Sequence, residues 1–188
     1  MKTKITFLRH AQTDANKDGN FCGSLDLPLN ETGKRQAAQA AALLGNTKFD
    51  VVLYGRARRV CKTAEAVVAK LRQKPAAILQ AEEIREMDFG IFEGLHYREV
   101  AKRYPEEWQK YMDDWRTYVF PQGDGVAAYY NSCSRWVDGL IDKYGGKSIL
   151  VVGHKGFILN CLSALLTHDG GDVLSRDIGN AETVSLEV

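Results

Sequence analysis

The sequence has no apolar run long enough to cross a bilayer, no C-x-x-C pair, no close pair of histidines and almost no charge imbalance. Each absence excludes something. A membrane-spanning helix needs about 20 mainly apolar residues, and the N-terminal MKTKITFLRH has a basic start but lacks the apolar stretch of a signal peptide. A cytoplasmic protein without a membrane partner is expected. Lys+Arg number 25 against Asp+Glu 24, a net charge of +1, so nothing points to nucleic acid as a partner. Cys22, Cys61, Cys133 and Cys161 show no metal spacing, and His10, His96, His154 and His168 are scattered. No metal site is expected. Cys133 and Cys161 fall at apolar helix positions and read as core thiols.

There is also no repeat, low-complexity tract or linker, so residues 1–188 are expected to form one domain. No feature of the sequence specifies an oligomeric state.

What is present is strand–helix alternation. Residues 5–8 read as a strand, followed by a polar loop. Asn30 suits the N-cap of a helix running to Leu44, with Gly45 as its stop. Strands are expected at 51–54 and 76–79, with a helix from near Arg58 to Leu71 between them. From 82 to 125 the alternation breaks into a mixed segment with one or two short helices. Val126 to Tyr144 then shows a period near 3.6, a long amphipathic helix. SILVV is a buried strand, 157–166 a helix, and ETVSLEV an edge strand. The expected fold class is a three-layer α/β/α sandwich. Its central sheet is mainly parallel with one antiparallel edge strand, and residues 86–125 form a small helical cap.

Two of the apolar strands end in histidine: ITFLRH and SILVVGH. Ligands of such sheets sit beyond the carboxyl ends of the strands, so His10 and His154 are expected at one rim. A lone histidine there is ordinarily a hydrogen-bonded structural residue. Here Arg9 adjoins one, and Lys155-Gly156 opens a helix after the other. Cations and a helix N-terminus together suit a phosphate. GGKS at 145–148 is not a P-loop, since Ile141 stands where its first glycine belongs. GDGVAA at 123–128 lacks the preceding strand of a dinucleotide fingerprint. Arg56 and Arg58 read as a solvated basic patch.

Five ordered motifs carry a resemblance. LRHAQT, GSLDLPLNETGKRQA, RVCKTAEAV, IREMDFGIFEGL and VVGHKGFI resemble the signatures of the histidine phosphatase superfamily, its phosphoglycerate-mutase-like branch. The departures are Ala11-Gln12 for the commoner Gly-Glu, and Lys155 beside His154. The resemblance implies phosphoryl transfer through a phosphohistidine on His10, without cofactor or metal. Arg9, Arg59, Asn16 and a protonated His154 would hold the phosphate, and Glu86 would be the proton shuttle. Nothing in this set is missing, which argues against a phospho-ligand-binding regulatory module without turnover.

Within the superfamily, a mutase resembles longer chains with a further insertion and a closing tail. Hydrolysis of a small-molecule phosphate monoester is therefore expected. EEWQKYMDDWRTYVFPQGDG is similar to the corresponding part of α-ribazole phosphatases of cobalamin synthesis. Trp108, Tyr111 and Trp115 are then candidate specificity residues, with Gly23 and Lys155 at the rim, although the aromatics also suit the core of a cap. The alternatives are a broad sugar or glycerate phosphatase and a phosphoglycerate mutase.

Overall fold

The computed structural model describes residues 2–188. Five strands, β1 (Lys4–Arg9), β2 (Val51–Tyr54), β3 (Ala77–Gln80), β4 (Ser148–Gly153) and β5 (Thr183–Glu187), form one sheet in the order β3-β2-β4-β1-β5. The first four run parallel, and β5 pairs antiparallel with β1 at the edge.

Strand alternation sorts the core into two layers. Ile5, Phe7, Val51, Leu53, Ile149 and Val151 face one side. There they meet α6 (Val126–Tyr144), which buries Tyr129, Cys133, Val137 and Leu140, and α7 (Lys155–Leu166). Leu8, Val52, Leu150 and Val152 face the other. They meet α2 (Glu31–Leu44) and α3 (Arg58–Lys70), which bury Ala40, Ala41, Leu44, Val60, Ala64 and Val67. This is the expected three-layer arrangement. Asn30 caps α2 by accepting the Gly33 N–H at 2.8 Å.

One feature differs from the sequence reading, and the mixed segment holds the short helices expected of it. The polar loop after β1 contains a short helix, α1 (Asp14–Asp18), closed by a Thr13/Asn16 capping box. The mixed segment contains α4 (Tyr97–Arg103), α5 (Pro105–Asp113) and a 3-10 turn at Gly90–Phe92. Phe92 is fully buried at its centre, among Trp108, Tyr111, Tyr118 and Phe120. No helix among the described residues is long and apolar enough to cross a membrane.

Candidate active site

Arg9 pairs with Gly153 at the carboxyl ends of β1 and β4. The residues that follow, His10 and His154, therefore leave the sheet side by side, and their ring centroids lie 5.2 Å apart. Both are buried.

The His10 Nδ1 lies 2.8 Å from the Ala11 carbonyl oxygen. A carbonyl only accepts, so Nδ1 carries the proton and Nε2 keeps its lone pair. Burial first, then the positive field of Arg59, push the His10 pKa down to about 3, with Arg9 adding to this and the Ala11 hydrogen bond opposing it. His10 is thus neutral and of fixed tautomer at physiological pH, with the Nε2 lone pair free. The Ala11 N–H donates to Thr63 Oγ1 at 3.0 Å, and the Thr63 hydroxyl donates to the Arg59 carbonyl at 2.8 Å, tying the loop to α3.

Arg59 is 1% exposed. Its Nη1 donates to Leu25 O at 2.5 Å and its Nη2 to Gly23 O at 2.9 Å. Glu93 holds that loop in turn, accepting N–H groups from Gly23, Ser24 and Phe89. A Cβ on Gly23 would stand 1.7 Å from the Met87 carbonyl oxygen, so the loop requires glycine there. Arg9 donates from Nη1 to Ile178 O at 2.8 Å. The Nε–H groups of both arginines are buried without an acceptor among the described residues. The buried guanidinium of Arg59 and the half-buried one of Arg9, with Glu86 the carboxyl group near both, offer forked donors that suit a phosphate.

His154 corrects an expectation. Burial, then the charges of His10, Arg59 and Arg9, hold its pKa well below the usual value. Arg59 Nη2 lies 3.3 Å from its Nδ1; a guanidinium only donates, so that nitrogen accepts. His154 is therefore neutral with its proton on Nε2, a hydrogen-bond donor rather than the protonated group read from sequence. That leaves Arg9 and Arg59 as the cations beside the two histidines, with Lys155 at the rim.

Asn16 Oδ1 accepts from the Thr13 N–H and hydroxyl, both at 3.1 Å, and from Asn180 Nδ2 at 3.2 Å. The amide is thereby oriented, and Nδ2 is the atom left to donate to a ligand. Asn180 also donates to the His10 carbonyl at 3.0 Å.

Glu86 follows the fully buried Ile84. Its Oε2 accepts the Gly156 N–H in the first turn of α7 at 3.0 Å, and its Oε1 accepts the Met87 N–H at 3.1 Å. The Tyr129 hydroxyl donates to Arg85 O at 2.8 Å and lies 3.3 Å from Oε1. Burial raises the Glu86 pKa; the hydrogen bonds from Gly156 and Met87, then the charges of Arg59 and Arg9, oppose it. A carboxyl whose pKa is raised by burial holds its proton more readily than a solvated one, as a group that gives and takes a proton must.

Three cavities meet at Glu86. One of about 410 Å³ is lined by Arg9, Asn16, Phe21, Cys22 and Lys155. A second, about 580 Å³ and polar, is lined by His154, Gly23, Asp26, Arg56 and Arg85. The third, about 250 Å³, is apolar and lined by Phe21, Tyr111, Trp115, Phe120, Leu159 and Leu174 among others. Arg9, His10, Asn16, Arg59, Glu86 and His154 thus converge, with Gly23 and Lys155 at the rim. Lys155 is ion-paired to Asp177 at 2.6 Å. Tyr111 and Trp115 reach the apolar cavity; Trp108 lines none of the three and packs in the cap against Phe92 and Tyr111. Arg56 and Arg58 are exposed, as expected, although Arg56 pairs with Glu82 and borders the polar cavity. Thr63, Glu93, Tyr129 and Asn180 were not legible as site residues in the sequence. Among the described residues no group of three or more His, Cys, Asp or Glu is placed to hold a metal ion.

The chain is similar to known proteins over most of its length. The adenosylcobalamin/alpha-ribazole phosphatase of Escherichia coli is 32% identical over 163 residues, covering 87% of this chain and 78% of that protein. Phosphoserine phosphatase 1 of Hydrogenobacter thermophilus is 27% identical over 151 residues, covering 80% and 70%. The crystal structure of the alpha-ribazole phosphatase from Shigella flexneri superposes with a TM-score of 0.88 at 26% identity, covering 97% of this chain and 89% of that one. The family model "Histidine phosphatase superfamily (branch 1)" matches residues 5–188, and the chain belongs to that superfamily.

Proposed function

We propose that the protein hydrolyses a small-molecule phosphate monoester through a phosphohistidine on His10, without a metal. The observation that carries this reading is the 2.8 Å contact from His10 Nδ1 to the Ala11 carbonyl, which leaves Nε2 free as the nucleophile. Nε2 attacks phosphorus and the bond to the ester oxygen breaks. Glu86 gives its proton to the departing alkoxide. Arg9 and Arg59 balance charge on the non-bridging oxygens, and Asn16 Nδ2 and His154 Nε2–H donate to them. Water then attacks phosphorus as Glu86 takes its proton back. The P–N bond breaks and inorganic phosphate leaves, restoring neutral His10 and protonated Glu86.

Among substrates, α-ribazole 5′-phosphate is the best supported. The E. coli and Shigella relatives carry that name, and the apolar cavity beside Glu86 offers Tyr111 and Trp115 to a flat heteroaromatic group. Residues 86–125 act as the specificity cap of a single domain. The polar cavity on the His154 side, together with the phosphoserine phosphatase relative, favours a small polar phosphate as the second reading.

The test is a metabolite-panel phosphatase screen in EDTA that includes α-ribazole 5′-phosphate and phosphoserine, with trapping of labelled phosphate. Wild type incorporates label and His10→Ala does not. Substantial turnover by His10→Ala overturns the covalent mechanism, and loss of activity in EDTA that a divalent metal restores overturns metal independence.

A further inference from the structure

Helix α7 is mainly apolar where it is buried, with Asn160 and Ser163 as the polar exceptions. Asn160 is 4% exposed, and a buried amide costs free energy unless its polar atoms are paired. Its Nδ2 donates to the Gly156 carbonyl one turn back at 2.8 Å. That contact orients the amide and turns Oδ1, which has no protein partner among the described residues and is not sealed from solvent, toward the cavities. The side chain lines the apolar cavity beside Glu86 and also a smaller one of about 230 Å³ beyond Trp115, bordered by Arg116, Tyr130 and Asp169. Asn160 therefore stands where the two cavities adjoin, an amide on a mainly apolar wall that also carries Glu86 and Lys155. Leucine there would pack the helix at lower cost, so packing does not account for the amide.

We infer that Asn160 is a specificity-determining residue whose Oδ1 accepts a hydrogen bond from a donor on an otherwise apolar, flat leaving group held in the cavity beside Glu86. This rests on the phosphatase reading, and it defines the substrate as the phosphate ester of an alcohol with an aromatic body and an N–H or O–H along it. Glycerate and serine phosphates lack that body.

Two near-isosteric probes test it: 2-(indol-3-yl)ethyl phosphate, which has a ring N–H, and 2-(benzofuran-3-yl)ethyl phosphate, which has a ring oxygen instead. Wild type is expected to favour the indole by roughly two- to tenfold in kcat/KM, the range of one neutral hydrogen bond. Asn160→Leu brings the ratio near one. Equal kcat/KM for the two probes on wild type, or an unchanged ratio in Asn160→Leu, overturns the inference. The wild-type ratio needs no variant to fold, and the melting temperature shows whether Asn160→Leu has. Calorimetric dissociation constants for the corresponding phosphonates read the same hydrogen bond without turnover. A protein that discriminates the phosphonates but hydrolyses neither ester nor p-nitrophenyl phosphate would refute the phosphatase reading and leave the Asn160 acceptor standing.

Discussion

Gly156 and Glu86 occupy adjoining space so closely that a Cβ on Gly156 would lie 2.2 Å from Glu86 Oε1. The same glycine donates its N–H to Glu86 Oε2. Gly156 lies in the first turn of α7, where alanine has the higher helix propensity by about 1 kcal/mol in a helix interior. Propensity alone would make Gly156→Ala harmless. We expect instead that the carboxyl is displaced and that kcat/KM for alkyl phosphates falls about 10²- to 10⁴-fold, the range of a lost general acid. The melting temperature should change by only a few degrees. Full activity in Gly156→Ala would remove Glu86 from the proton-transfer role.

Glu86→Gln should discriminate between leaving groups. A sugar or alkyl alkoxide needs a proton, whereas p-nitrophenolate leaves unaided, so the first step of p-nitrophenyl phosphate turnover should suffer far less. In the proposed mechanism the reacting form is the protonated acid, and burial raises its pKa. Activity on an alkyl phosphate should therefore be present below that raised pKa and fall as pH rises through it. The phosphorylation burst with p-nitrophenyl phosphate should lack this descending limb, and so should Glu86→Gln with either substrate. An equal loss for both substrates in the burst phase would argue against an acid role.

The sheet and its helices were legible because their signals are local. Val51–Tyr54, Val126–Tyr144 and the Asn30-capped α2 declare themselves through period and capping residue. The two histidines were legible because strand ends predict a common rim. The five-residue α1 was not, since it is too short to show a period. Asn180 reaches His10 across 170 positions of sequence, and no local pattern announces such a contact. The charge of His154 was misread for the same reason: the intrinsic pKa belongs to the residue, but burial beside Arg59 and His10 belongs to the fold.

Asn180 bonds Asn16 and the His10 carbonyl, and in the proposed mechanism it positions them rather than the phosphate. Asn180→Ala removes one of the contacts that point Asn16 Nδ2 toward the ligand. The loss should appear in kcat/KM for all phosphate esters alike, on the order of tenfold, as expected for a hydrogen bond to a charged ligand. Weaker inhibition by inorganic phosphate should accompany it. A fall in melting temperature with inhibition unchanged would make Asn180 structural only.

The two histidines set a pH dependence of stability. An unfolded histidine takes up a proton near pH ~6.5, whereas folded His10 does so only at about 3, and folded His154 is likewise depressed. Between those values the unfolded chain binds more protons, so their contribution is present above pH ~6.5 and is lost as pH falls. Glu86 works in the opposite sense: its folded pKa is raised, so its contribution is lost as pH rises through it. Melting temperature should drop between pH 7 and 5, and His10→Gln and His154→Gln should each show a shallower drop than wild type. A slope unchanged in both variants would show that the imidazoles accept protons within the fold.

The cap aromatics separate by position. Trp108 lies against Phe92, Tyr97 and Tyr111 and lines none of the cavities at Glu86. Trp115 lines the apolar cavity and the smaller one behind it. Removing a large aromatic from a packed cluster costs about 3–5 kcal/mol when it is fully buried, and Trp108 is only partly so. Trp108→Ala should therefore lower the melting temperature and depress all substrates together. Trp115→Ala removes a wall of the apolar cavity proposed for the leaving group and leaves the Phe92 cluster intact. It should lower kcat/KM for α-ribazole 5′-phosphate by roughly 5- to 150-fold, the equivalent of about 1–3 kcal/mol of aromatic stacking. Hydrolysis of p-nitrophenyl phosphate, which needs little beyond the phosphate pocket, should fall much less. If both variants lose all substrates in parallel with their melting temperatures, the aromatic cap is packing alone, and the leaving group must lie in the polar cavity beside His154.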